Sequence, residues 1–311
     1  MEIGRRRKIK HLVRDLYRGL LGREPDAEGA RSYESLMLRV GPERAVPKML
    51  SAFLESKEYR EREAAMAISH VNAALALQGE QLINGRAVDH LVSLGAFCLP
   101  SIICQNNGLR KYSLPFDWIF STPRMVCDCL ADDFAVFLDR GYYRSIPDPT
   151  KNDPTRQGAA EHDFYRERYG IPELFAHRDP TREGDYLYYV RCVNRFRQIL
   201  RSADTKLFLV VGRAHHDLTN EFPRLLDALT HATTNFALLC IEVLEPVERG
   251  MSSIVPVTRT GNHALHRFIP SSFNPVGTFL PDKLDEWSLL RLIYRYELAL
   301  KDSPWGDTER C

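Results

Sequence analysis

The chain reads as α/β: an N-terminal small helical bundle followed by a layered α/β domain with a mostly parallel sheet. Three observations predict this. Apolar residues recur at steps of three and four from Ile9 towards Leu77. Beyond residue 88 the period changes, and strand-length apolar runs alternate with helical stripes. Those runs, such as Lys206-Leu-Phe-Leu-Val-Val211, lack a polar face, as strands covered on both sides do. The expected domains are 1–78 and 88–311, joined by the polar, glycine-containing stretch 79–89 as a linker.

The bundle follows residue by residue. Ile9, Leu12, Val13, Leu16, Tyr17, Leu20 and Leu21 form one stripe, which Gly22 to Pro25 stops. Asp26 caps a second helix carrying Ala30, Tyr33, Leu36, Met37 and Val40. Gly41-Pro42 breaks the pattern, and a third helix holds Ala45, Val46, Met49, Leu50 and Phe53. Ser56 caps the fourth. Short links between four helices imply a compact bundle. Leu16 to Gly29, with Phe53-Leu-Glu-Ser-Lys-Glu-Tyr59 downstream, resembles the DUF4214 helical domain over about residues 9–62. That resemblance implies the company of bacterial surface and polysaccharide-related proteins, and a module for protein or glycan contact.

In the second domain, strands are expected at 91–95, 206–211, 236–243 and near 267–269. Tyr186, Tyr189, Val190, Val193, Phe196 and Leu200 mark one helix. Asp217 reads as the N-cap of a second helix, 218–229, and Leu289, Leu290, Ile293, Tyr296 and Leu300 mark the last. Residues 144–184 hold five prolines and many charges and read as a long irregular excursion, the kind of segment that carries function.

Composition excludes several classes. A net charge of +1 gives no general attraction for nucleic acid; the one basic run, Arg5 to Lys10, reads as a solvated helix start. No segment has the length of a membrane span, and no apolar signal-peptide core follows the basic run. Seven scattered cysteines fit a reducing compartment, so a cytoplasmic protein is expected. Cys127-Asp-Cys129 is too tight for a zinc pair, and phosphate-loop, dinucleotide, zincin and serine-hydrolase motifs are missing. No metal and no cofactor is expected.

Cys98 reads either as a nucleophile or as a small buried hydrophobe. It lies just beyond the first strand, after Gly95, which permits a sharp turn, and before Pro100, pre-set for a helix start. A sulfur at a helix N-terminus is favoured as thiolate, the form a nucleophile needs. Downstream, Asp117 sits between Phe116 and Trp118, so a buried carboxylate there needs a donor such as Arg110 or a histidine. Ser93-Leu-Gly-Ala-Phe-Cys98, then Gly108-Leu-Arg110 and Pro115-Phe-Asp-Trp118, resemble the DUF1796 family, described as papain-like cysteine peptidases. The likeness continues through Phe175-Ala-His177, Val193 to Phe196 and Leu207 to Arg213.

Carried over by position, the resemblance implies Cys98 as nucleophile, His177 as base and Asp117 as the orienting acid. The family places an Asp directly after that histidine; here Arg178 intervenes before Asp179, so Asp117 and Asp179 both stand as the third member. His162 is the rival base. His215-His216-Asp217 follows a strand end where α/β sites open, but adjacent rings diverge. His263 and His266 read as solvent-facing loop residues, and Arg191 and Arg195, one turn apart, as an anion clamp or a salt-bridged face. The papain-like label suggests α+β, yet the doubly buried strands favour α/β. The expected function is a thiol hydrolase or acyltransferase acting on a peptide or glycan-related substrate. The alternative is a non-catalytic or transferase-like sugar-binding protein of bacterial surface-polysaccharide assembly.

Overall fold

In the computed structural model, which describes residues 2–76, 79–146, 158–246, 252–273 and 280–305, Asp26 acts as the cap its position predicts. Its carboxylate accepts the backbone N–H groups of Glu28 and Gly29 at 3.1 and 2.8 Å. The first unit, residues 1–74, holds α1 (Glu2–Leu16), α2 (Ala27–Val40), α3 (Pro42–Leu54) and α4 (Lys57–Ala76). After α1 the chain widens into one π turn, Tyr17–Leu21, closed by Gly22 in the left-handed region. Val13, Tyr17, Met37, Ala45, Met49 and Phe53 form the core, with Tyr17 edge-on to Phe53 at 4.8 Å. Gly29 is small for a reason: a Cβ there would lie 2.3 Å from the Tyr17 hydroxyl.

The second unit, residues 75–311, is built on five strands. They are β1 (His90–Ser93), β4 (Lys206–Arg213), β5 (Phe236–Val243), β6 (Ser253–Thr260) and β7 (His263–Ile269). The sheet order is β1-β4-β5-β7-β6, parallel except for β6, which runs antiparallel to β7. This is the expected α/β architecture. Helices lie between or beyond the strands, among them α5 (Leu99–Asn106), α6 (Pro123–Ala131), α8 (Glu183–Arg201), α9 (Leu218–Ala232) and α10 (Lys283–Ile293). Phe208, Val210, Leu238 and Cys240 pack with Val193, Phe196, Leu225 and Leu229 from α8 and α9. Leu207, Leu209, Leu239 and Ile241, which alternate with them and face the other way, are buried too. Both faces are covered, which is why these strands lack a polar face.

The structure corrects several expectations. Residues 79–89 are not a free linker: Gln81 and Val88 pair with Tyr296 and Leu298, and Ile83 and Val88 are fully buried. Their polar composition hid a pairing with a partner two hundred residues away. The 144–184 excursion carries a two-stranded ribbon, β2 (Tyr143–Ile146) with β3 (Ala159–His162), and α7 (Asp163–Tyr169). Elements this short show too few periods to read; 147–157 lie outside the described residues. β6 was unpredicted because it is an exposed edge strand with a proline and a register shift at Pro256/Thr258. His263 and His266 do not face solvent from a loop. Both lie on β7; His263 Nδ1 accepts the Leu238 N–H at 3.1 Å, and His266 is buried. Asp217 holds the N-cap position of α9 in a left-handed conformation (φ 51°), and its carboxylate accepts from Asn220 Nδ2 rather than from the helix amides.

Candidate active site

The site grows from the end of β1. Leu94 still bonds Leu209 across the sheet at 2.9 Å, and then Gly95 turns the chain with φ 83°. No side chain fits at Gly95, since a Cβ would lie 2.3 Å from Ser121 Oγ. The turn delivers Cys98 to the N-cap of α5, with Pro100 in the first helical turn. The Cys98 carbonyl accepts the Ile102 N–H at 2.9 Å, so the first turn is closed directly on this residue.

Opposite it stands His177, with Nε2 3.4 Å from Cys98 Sγ. His177 arrives on a segment tethered by backbone bonds between Phe175 and Ala160 of β3, both 3.0 Å, and from Phe120 N–H to the Leu174 carbonyl. The pairing of thiol and imidazole therefore depends on the β2–β3 ribbon inside the predicted excursion. Trp118 packs edge-on to the imidazole with ring centres 5.9 Å apart, and the Arg110 guanidinium lies over the Trp118 ring at 5.2 Å.

Asp117 is 2 % exposed and accepts from Arg110 Nε at 3.1 Å, the Leu114 N–H at 2.8 Å and Ser101 Oγ at 3.1 Å. Burial pushes its carboxyl up; Arg110, the Leu114 amide and the Ser101 hydroxyl pull the other way. None of its bonds reaches His177. It ties the third residue of α5 to the turn that carries Trp118. Asp179 is also buried and serves Ser145 Oγ at 2.7 Å and the N–H and hydroxyl of Thr181. Neither carboxylate hydrogen-bonds the imidazole.

His162 lies elsewhere. Its ring is fully buried, 4.4 Å from that of Tyr165, and Nε2–H donates to the Val136 carbonyl at 3.1 Å. Burial lowers its pKa from 6.5 to about 4. Folded, it stays neutral where the unfolded chain already binds a proton. Its contribution is therefore full above pH 6.5 and is lost as pH falls towards 4. His162→Phe is expected to lower stability at pH 7 by about 1 kcal/mol through the lost hydrogen bond. It should also flatten the fall of stability between those pH values, measured by urea unfolding; an unchanged slope contradicts this.

The remaining candidates separate. Arg195 is buried with its guanidinium towards the Ser113 carbonyl, while Arg191 is exposed, so the two form no clamp. Cys129 faces Tyr165 inside the core at 3.3 Å, and Cys127 is half-buried with its thiol pushed up to about 11 by burial. Cys104 is pushed up to about 12 for the same reason. Cys311 lies outside the described residues.

His216 Nδ1 accepts the Arg213 N–H at 3.0 Å, which places its proton on Nε2, and its ring stacks on Phe97. Beside Phe97 opens a cavity of about 410 Å³ at the carboxyl ends of β1 and β4, lined by Ser121, Arg213, His215 and His216 among others. Sequence reasoning missed Ser101 and Ser121. Lone serines carry no pattern, and only Gly95, forced to be small, pointed at what occupies its flank.

No curated protein and no solved structure matches the chain. Residues 89–242, from the residue before β1 to the penultimate residue of β5 and including Cys98, Asp117 and His177, match the family model described as "Putative papain-like cysteine peptidase (DUF1796)".

Proposed function

We propose that the α/β unit is a cysteine hydrolase or acyltransferase with Cys98 as nucleophile and His177 as general base. One observation carries this reading: the 3.4 Å approach of Cys98 Sγ to His177 Nε2 at the start of a helix. In this reading His177 takes the thiol proton and the sulfur adds to a substrate carbonyl. The N–H groups of Leu99 and Ser101, which have no intrahelical acceptor, face the developing oxyanion; Pro100 has none to offer. Collapse expels the amine or alcohol, which receives the proton from His177, and leaves a thioester on Cys98. Water or a second acceptor then gives up its proton to His177 and releases the acyl group. Asp117 acts as a positioning residue through Ser101 and Trp118.

Cys98 is only 1 % exposed. A substrate must therefore displace what covers the sulfur, and this burial favours the second reading, a sugar-binding protein in surface-polysaccharide assembly without thiol chemistry. The DUF4214-like helical unit would there supply the protein or glycan contact. Iodoacetamide labelling with peptide mapping separates the two. The hydrolase reading expects Cys98 to be alkylated at neutral pH ahead of the half-buried Cys127, despite its deeper position. Alkylation at Cys127 first, with Cys98 inert, leaves only the binding reading.

A further inference from the structure

Beside Phe97, the cavity at the carboxyl ends of β1 and β4 has a chemistry of its own. Its walls are mostly apolar, from Phe97, Phe120, Tyr169, Ile171 and Pro172. Set into them are polar groups, among them Arg213, His216 and Ser121. The Arg213 guanidinium lies over the Phe97 ring at 5.3 Å and the Phe273 ring at 5.4 Å, so two aromatic faces fix its plane. His216, held by the Arg213 N–H on Nδ1, keeps Nε2–H as a neutral donor, because burial lowers its pKa to about 4. Ser121 lines the cavity, and its buried Oγ has no hydrogen-bond partner among the described residues. A buried hydroxyl without a partner is costly unless something else bonds it.

We propose that this cavity binds a small carboxylate with an aromatic or apolar body. Its anionic group rests on Arg213 and His216 Nε2–H, and Ser121 Oγ donates the remaining hydrogen bond. Planar guanidinium suits a planar carboxylate in two-point contact. Glu173 also lines the cavity, and its negative charge disfavours a dianion such as a phosphate monoester. The other titratable side chains there are His215, exposed at the rim with its ring 4.0 Å from that of His216, and Tyr169, whose hydroxyl donates to Asp128. The volume is within the range of small-molecule sites.

The test uses the full chain and three probes: hydrocinnamate, its neutral amide, and phenyl phosphate, each titrated by calorimetry. Hydrocinnamate is expected to bind about tenfold more tightly than either of the others. Arg213→Gln should erase the advantage over the amide while leaving the amide's own affinity unchanged. Equal affinity for acid and amide, or no binding of any probe, overturns the proposal on the unaltered protein, whatever the variant does. Preference for phenyl phosphate replaces the carboxylate by a phosphate ligand and overturns it too. Binding is read without turnover, so an inert Cys98 leaves the result standing.

Discussion

Asp117→Asn is expected to destabilise the α/β unit by about 3 kcal/mol, read as a lower urea midpoint with an unchanged slope. The carboxylate is 2 % exposed and the Arg110 side chain beside it 10 % exposed, so water compensates neither. An amide whose oxygen takes the place of Oδ2 still accepts from Arg110 and Leu114 and turns its NH₂ on Ser101 Oγ, but it leaves the guanidinium buried without its counter-charge. Stability alone would not separate a structural carboxylate from a catalytic one. The rate of Cys98 alkylation against pH does. Asp117 reaches the site through Ser101 and Trp118 and makes no bond to His177, so the profile should keep its midpoint while its amplitude falls. A displaced midpoint with unchanged stability would instead make Asp117 the partner of the imidazole.

The bundle and the sheet were legible because their signals are local. Stripes of apolar residues, the Asp26 cap and the doubly buried strands depend on neighbours within a dozen positions. The candidate pair was half legible. Cys98 is marked by Gly95 and Pro100 around it, a strand–turn–helix junction readable on its own. His177 carries no such mark: it lies between Ala176 and Arg178 in irregular chain, and family likeness rather than periodicity picked it out. What brings it to the sulfur is the pairing of Phe175 with Ala160, fifteen residues apart and within a stretch expected to be irregular. The donor of Asp117 is open in the sequence between Arg110 and a histidine, and the structure gives it Arg110. The sequence set a carboxylate between two aromatics and demanded a donor; Arg110, seven residues away, met that demand before a distant histidine did.

His177→Ala is expected to slow alkylation of Cys98 at neutral pH by roughly 30-fold, because an unassisted thiol of ordinary pKa near 8.5 is only about 3 % ionised at pH 7. The shape of the profile is more telling than the rate. A thiol and imidazole at 3.4 Å titrate as a pair, so the unaltered protein should show a reactivity plateau bounded by two apparent values. Without the imidazole a single rise at alkaline pH should remain. The substitution is tolerable to the fold, since His177 is half-buried and Trp118 keeps Arg110 on its face. Added imidazole should restore part of the lost rate by entering the space left behind. An unaltered rate and profile in His177→Ala would mean that the close approach is packing alone. The thiol would then owe whatever reactivity it has to the α5 N-terminus, and acyl transfer would lack the imidazolium needed to protonate its leaving group.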